Sequence, residues 1–597
     1  MAARERNRRP VAPTKAAAFE RTNPLPAIAV APRWPLRTAL LVGLAVFLVY
    51  LTNLRPMGAW DSVPARLLPF SILRQGNFDL DEFQWLRRLD PHPYFLRQAA
   101  NGHWVSLYTV GVPLLVTPLS MPVVWWLQHN QISDDDVRFR LATVMMERVG
   151  AAAIAATSVA LVFLAVSSFA STAVAAGVAL AYGLSTSLWS VGSQALWQHG
   201  AAALALAGLS LSLLAADTRR NAAAAGGCAA LAVLVRPTML VFAALALLFI
   251  WRERRRRLLA FLSLPTLGML FLLAYNLRLL GLFGGAYQRG RFTAPDPARF
   301  LGLLFSPSRG LFVYTPAALL AVLGMVQPDR RAPRCLAYLP FGAAAYLLLY
   351  SCWTGWWGGH CYGPRFLTDV LPALALCAVP VVQRWWPHRW GRLAIVLLVT
   401  WGVVVQVIGV YCDDRSWDKL PKSVDATPWR LWQWDDPQIL RAAHAGWHGG
   451  DLASMLWQTL VSPEAALLRP LEAAQLGGEI TLDDKPPTSY HRAGKGTLHL
   501  RVTNRGAVAW PAFSDFGYLQ VALLYSWRLG ESVVVGEGGA IDLPRNLGPG
   551  ESTAVQARID LPARPGAYTL EFNLLQVLNP EQGVSGGTTL RLPVQVE

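Results

Sequence analysis

Apolar runs of 15 to 27 residues, separated by short polar breaks, dominate the first two-thirds of the chain. A bilayer core needs about 20 consecutive apolar residues in a helix. On that length rule the pattern predicts spanning helices at residues 36–53, 141–167, 171–190, 194–215, 221–236, 237–251, 257–279, 310–327, 335–352, 366–383 and 391–411. One further apolar run, 110–127, contains Pro113, Pro118 and Pro122. Interior prolines remove helix hydrogen bonds, so a re-entrant segment or a helix lying at the interface is expected there. From about Gly478 the period changes. Thr497-Leu-His-Leu-Arg-Val-Thr503 and Val555-Gln-Ala-Arg-Ile-Asp-Leu561 alternate as half-buried strands do, with Gly- and Pro-containing turns between such runs. The expected fold is an α-helical polytopic membrane domain of about eleven spans followed by an all-β, Ig-like sandwich.

Charge orients these elements. Of 597 residues 53% are hydrophobic and 15% charged, against about 25% charged in a soluble domain. The net charge of +16 could suggest nucleic acid, but its distribution excludes that partner. Arginines gather in the N-terminal tail (Arg4, Arg6, Arg8, Arg9) and in short loops at Arg219–Arg220, Arg252–Arg257, Arg330–Arg331 and Arg384–Arg392. This is the positive-inside pattern. Parity holds if 110–127 does not cross and residues 54–140 form one large external loop. The expected organisation is a cytoplasmic basic tail (1–35), a membrane domain (36–412), a Trp-rich external linker (413–477) and the sandwich (478–597). The first apolar run reads as a signal anchor. Six scattered cysteines with no CxxC pair predict no metal site. For Cys361 and Cys412, a disulfide and two unpaired thiols both remain open.

The same parity gathers certain residues outside. Asp61 follows the first span, and Trp197 and His199 mark an external hairpin. Arg236 ends a short span, at a place where a charge at the bilayer centre costs on the order of 3 kcal/mol. Ser306-Pro-Ser-Arg-Gly310 is a further external segment, and Trp356, Trp357, His360, Tyr362 and Arg365 crowd one more ahead of Asp369. Arginines bind phosphate through charge-assisted hydrogen bonds, aromatic faces stack on sugars, and a carboxylate can take a hydroxyl proton. Each residue also has a plainer reading. Asp61 could cap a helix, His199 could bond a backbone group, the tryptophans could belong to an interfacial belt, and Arg365 could anchor a span. Asp79, Asp81, Glu82 and Asp134–Asp136 read as solvated acids.

The layout resembles the GT-C superfamily of membrane glycosyltransferases, including the protein O-mannosyltransferases and the lipid A aminoarabinose transferases. The resemblance covers roughly residues 36–440 and rests on several segments. These are Asp61 at the start of a large first loop, Asn101-Gly-His-Trp-Val-Ser-Leu-Tyr-Thr-Val-Gly-Val-Pro-Leu-Leu, Gly310-Leu-Phe-Val-Tyr-Thr-Pro316 and Trp356-Trp-Gly-Gly-His-Cys-Tyr-Gly-Pro-Arg365. Two departures stand out. Ser62 follows Asp61 where many members carry a second acid, and Tyr108 stands where some use a lysine to hold the lipid phosphate. The resemblance implies transfer of a sugar from a polyprenyl-phosphate donor to a protein, lipid or glycan acceptor, outside a bacterial inner membrane. Asp61 would be the base and Arg236, Arg365 and His199 the phosphate ligands. Trp60, Trp197, Trp356, Trp357, His360 and Tyr362 would line the sugar or lipid path. It implies no cofactor beyond this lipid-linked substrate, although some members use a divalent metal. A transporter or lipid flippase, and a non-catalytic envelope assembly protein, are the rival classes. A periplasm-dependent phosphatase reporter fused after Gly192 or Glu597 is expected to be active, and one fused after Arg219 inactive. Activity at Arg219 would overturn the threading.

Overall fold

A computed structural model describes residues 35–53, 60–99, 101–281, 292–327, 332–413, 416–419, 422–447, 470–485, 489–490, 495–512, 519–533, 538–562, 564–579 and 582–597. The basic tail, apart from Pro35, lies outside the described residues. Every apolar stretch named above carries helix, although 310–327 is divided into Leu311–Tyr314 and Ala318–Val326 around Thr315-Pro316. Among the described residues, five helical segments are long and apolar enough to cross a membrane: Gly111–His129, Arg138–Ser167, Arg255–Leu280, Arg365–Trp385 and Arg389–Tyr411.

Gly111–His129, read from the sequence as re-entrant or as a helix lying at the interface, is one helix of 19 residues, with Pro118 and Pro122 inside it. Hydroxyls fall beside the prolines: Thr117 donates to the Pro113 carbonyl (2.8 Å) and Ser120 to that of Val116 (3.0 Å). The amides missing at Pro118 and Pro122 are those that would bond the Leu114 and Pro118 carbonyls, and the helix runs on past both prolines.

The helices pack through small residues and turn large ones outward. In Leu36–Leu51 the buried positions are Ala39, Gly43, Val46 and Tyr50, while Leu36, Leu40, Leu44 and Leu48 are exposed. The spacing places each set on one face of a 3.6-residue helix. A Cβ on Gly43 would lie 3.2 Å from the Ala160 Cβ of Val137–Ser167. Close backbone approach is how helices associate in lipid, where burying apolar surface gives little advantage. Exposed Leu259, Leu267 and Leu270 on Leu258–Tyr275, and Trp390, Leu397 and Trp401 on Arg389–Tyr411, form similar apolar outer faces.

The C-terminal region is β-rich. Strands β3 (Gly478–Leu482), β5 (Lys495–Asn504) and β9 (Ser552–Asp560) form one antiparallel sheet in the order β3-β5-β9. A second sheet runs β4-β11-β10-β6-β7, with β8 also on β6. Its strands are β4 (Ser489–Tyr490), β6 (Val521–Leu529), β7 (Ser532–Val533), β8 (Gly539–Asp542), β10 (Gly566–Asn579) and β11 (Gln582–Val596). Alternate residues of the two sheets meet in one core, including Leu500 and Val502 of β5, Ala557 of β9, Leu523 and Trp527 of β6, and Phe572 of β10. The two alternating runs picked out from sequence pair directly, Thr497 opposite Arg558 and Leu500 opposite Val555.

Gly324 tests the close helix packing. A Cβ there would sit 2.0 Å from the Cys377 carbonyl oxygen, so the helices Ala318–Val326 and Leu371–Trp385 touch through backbone. Gly324→Leu is expected to destabilise the detergent-solubilised protein by about 1–3 kcal/mol. Thermal unfolding should show a lowered Tm, and an unchanged Tm would contradict this packing.

Candidate active site

Two ion-pair clusters, one half-buried and one fully buried, meet on one short helical turn. Residues Arg365–Val370 form a 3-10 segment leading into Leu371–Trp385. The loop before it turns through three glycines with positive φ, Gly358 (81°), Gly359 (69°) and Gly363 (72°). Other residues rarely adopt that conformation. At Gly363 a side chain would also strike the Tyr314 ring, at 2.5 Å. This loop delivers Arg365 to one side of the turn and Asp369, four residues on, to the other.

Arg365 reaches Asp61 across 304 residues of sequence, its Nη1 donating to Oδ2 at 2.9 Å. Asp61 lies in the 3-10 turn Trp60–Ser62 ahead of the helix Val63–Gln75, whose N-cap Ser62 makes no side-chain cap. Asp61 is therefore not a helix cap. Its other oxygen accepts from the hydroxyls of Tyr94 (2.5 Å) and Tyr108 (2.8 Å). A small hairpin supplies both tyrosines. Strands β1 (Leu96–Gln98) and β2 (Trp104–Ser106) pair with Leu96 opposite Ser106. Carried two residues outward, that register sets Tyr94 opposite Tyr108. Trp60 packs on Phe95 of the same hairpin, ring centroids 5.6 Å apart.

Burial pushes the Asp61 carboxyl up, but the Arg365 charge and the hydrogen bonds from Tyr94, Tyr108 and Arg365 outweigh it. The net effect holds Asp61 below the usual carboxylate range. Burial and the charge of Asp61 push both phenols well above their usual range, so each remains a donor.

On the other side Asp369 is fully buried and bonds three elements. His199 Nδ1 lies 2.7 Å from Oδ1, Arg236 Nε lies 2.8 Å from Oδ2, and the Tyr346 hydroxyl also donates to Oδ2. Arg236 also donates to the Tyr350 hydroxyl through Nε at 3.1 Å. Phe366 separates the clusters: the Arg365 guanidinium lies 5.6 Å and that of Arg236 5.3 Å from its ring centre. Trp197 lies under Arg365 at 5.3 Å.

The sequence-selected residues thus divide. Asp61, Arg365, Trp197 and Trp60 stand at one centre, and Arg236 and His199 stand behind it on Asp369. The other four have partners elsewhere. Trp356 packs against Gly302 and Trp432, and Trp357 Nε1 donates to Asp425 (2.9 Å). His360 Nε2 is 3.1 Å from the Ser423 hydroxyl, and the Tyr362 hydroxyl donates to the Val405 carbonyl (3.0 Å). They clasp the linker and the Arg389–Tyr411 helix. The reason is the Ser308–Arg309 corner, picked out from the sequence as a polar segment but without any sign that it binds the linker. Buried Arg309 donates to Asp418 (2.7 Å) and to the Trp357 carbonyl (3.1 Å), and Gln438 bonds the Gly363 amide and the Cys361 carbonyl. No disulfide joins any of the six cysteines, Cys361 and Cys412 included.

Tyr94, Tyr346 and Tyr350 escaped the sequence reading because nothing local marks them. Asp369 carried a faint signal, an acid one helical turn after Arg365 and inside an apolar run. Asp79, Asp81 and His103 also differ from plain solvated acids. Their ligand atoms lie within 4.8 Å of one another, a spacing a divalent cation could bridge. His103 Nδ1 is meanwhile 2.5 Å from Asp81, and Asp81 accepts from the Trp104 amide (2.7 Å), which ties down the closed end of the hairpin.

No protein-family model matches the chain, and no curated protein matches it. Among solved structures it is similar to ArnT from Cupriavidus metallidurans bound to undecaprenyl phosphate, at 15% identity and TM-score 0.41, covering 73% of this chain and 72% of that one. The apo state of that protein is similar at 16% identity and TM-score 0.40, covering 71% and 70%. The Pseudomonas fluorescens alkylpurine DNA glycosylase AlkC bound to DNA containing an abasic site analog reaches a TM-score of 0.15 at 11% identity, covering 74% and 98%. With TM-scores below 0.5, these likenesses carry no argument about the chemistry.

Removing one member of a buried ion pair costs about 3–5 kcal/mol, because the partner charge is left uncompensated. Asp369→Asn is therefore expected to lower the Tm of the solubilised protein strongly, and Arg236→Gln added to it to recover part of the loss. Full stability of Asp369→Asn would contradict the cluster.

Proposed function

We propose that the protein is an integral membrane glycosyltransferase that moves a sugar from a polyprenyl-phosphate donor to an acceptor hydroxyl on the extracytoplasmic face. The observation that carries this reading is the Asp61–Arg365 pair: a carboxylate and a guanidinium 2.9 Å apart, walled by Trp197, Tyr94 and Tyr108. A base and an anion ligand adjacent to each other are what sugar transfer from a phosphate needs.

In this scheme Asp61 takes the proton of the acceptor hydroxyl as its oxygen bonds to the anomeric carbon. The bond from that carbon to the phosphate oxygen breaks, and its electron pair leaves with the polyprenyl phosphate. One displacement inverts the anomeric centre. Arg365 holds the leaving phosphate. Arg236 and His199 support it from behind Phe366, the Arg236 charge partly offset by Asp369. The chain crosses the bacterial inner membrane about eleven times by the length rule. Its N-terminus is cytoplasmic, its Ig-like sandwich extracytoplasmic, and no cofactor takes part.

One observation favours a second reading, a transporter. Asp369, His199 and Arg236 are ionisable and deeply buried among the helices, as in transport proteins. The assays separate the two. Purified protein with a panel of radiolabelled polyprenyl-phosphate sugars and membrane extract should form a glycosidic product. Asp61→Asn should lower the rate by about 100-fold or more while still binding donor. Full activity in Asp61→Asn would remove the base assignment. Flux into sealed vesicles with no product would support the transporter.

A further inference from the structure

The resting geometry sits awkwardly with a general base. Asp61 accepts three hydrogen bonds, from Tyr94, Tyr108 and Arg365. A carboxylate so occupied has little basicity and little room for an incoming hydroxyl. Arg365 is also incompletely satisfied. Its Nε is buried with no hydrogen-bond partner, and so is the indole nitrogen of Trp197, a residue 5% exposed. Their rings are adjacent, the guanidinium carbon 5.3 Å from the Trp197 ring centre. A buried donor left unpaired costs about 1–3 kcal/mol. Two of them, one on the guanidinium itself, are donors that an anionic oxygen would satisfy.

Resting on the glycosyltransferase reading, we propose that the donor phosphate binds this vacant pair of donors and draws Arg365 away from Asp61, so that donor binding itself releases the base. Trp197 is then a phosphate ligand through its N–H, beyond lining the sugar path. Donor must bind before acceptor, because only the donor complex holds a basic Asp61. Free enzyme keeps the acid quenched, which guards against futile activation of water at the membrane edge. Tyr94 and Tyr108 remain in place as positioning residues and keep Oδ1 fixed while Oδ2 is vacated.

The charged and titratable groups facing Asp61 are Arg365, Tyr94 and Tyr108, and both phenols stay protonated, so the change on donor binding traces to Arg365. A carbodiimide with an amine nucleophile, which modifies protonated carboxyls, gives the readout. The full-length protein is labelled across a pH series with and without polyprenyl monophosphate, and Asp61 is followed by mass spectrometry. The pH midpoint is read rather than the extent, so that shielding by lipid does not count. Binding of the lipid phosphate is measured separately by thermophoresis.

The lipid phosphate is expected to raise the Asp61 midpoint by about one pH unit or more, as losing an adjacent opposite charge does. Arg365→Gln should show the raised midpoint without lipid. Trp197→Phe, which keeps the ring bulk and loses the N–H, should weaken lipid binding about tenfold and leave the lipid-free midpoint unchanged. Lipid phosphate that binds without moving the midpoint overturns this inference and leaves the proposed function standing. No binding of any polyprenyl phosphate overturns both. If Arg365→Gln does not fold, the wild-type titration alone decides.

Discussion

The turn from Arg365 to Val370 carries charge in two directions, and much of the membrane domain is arranged around that fact. Its Arg365 needs an anion and finds Asp61 from the loop after the first helix; its Asp369 needs a cation and a further ring donor and finds Arg236 and His199 from two separate helix ends. Inside a low-dielectric bundle a lone charge costs several kcal/mol even after relaxation. Each element that supplies a partner is therefore held in place by the others. The loop before the turn, the hairpin of Tyr94 and Tyr108, and the ends of Gln198–Leu214 and Arg219–Val235 converge on six residues of chain.

This convergence joins stability to chemistry. The Asp369 side is closed: a fully buried carboxylate with three donors has little left to offer a ligand. The Asp61 side is open at one edge, with side chains 24% exposed for Asp61 and 14% for Arg365. Phe366 stands between them, its ring against both guanidiniums. The closed cluster fixes the turn, and the fixed turn aims Arg365. That order follows the general requirement that a reactive group be held by neighbours whose own conformations are locked.

Much of this was readable from the chain and some was not, for physical reasons. Lipid demands long apolar runs, so helices at 141–167 and 391–411 show plainly in the residue pattern, as do the alternating strands β5 and β9. Asp61 and Arg365 stood out because charge is rare near a membrane. Tyr94 did not, and Tyr108 stood out only as a departure from a family lysine, because their joint significance lies in a hairpin register that no local motif marks. The prolines of Gly111–His129 left two readings open, a re-entrant segment and a helix lying at the interface, and the run is one continuous helix. Trp356, Trp357, His360 and Tyr362 look like a ligand wall in one dimension. In three they brace the linker, because the buried Arg309–Asp418 pair draws that linker down onto their loop.

The most direct test of the central claim, that Asp61 and Arg365 form the reaction centre, is a cryo-EM structure of the full-length protein in lipid nanodiscs with polyprenyl monophosphate. The account predicts phosphate density in hydrogen-bond contact with Arg365 beside Trp197, with the Arg365–Asp61 distance lengthened beyond 2.9 Å. Phosphate density elsewhere, at Arg309 or at the Arg252–Arg257 cluster, with the Asp61–Arg365 pair intact, would contradict it.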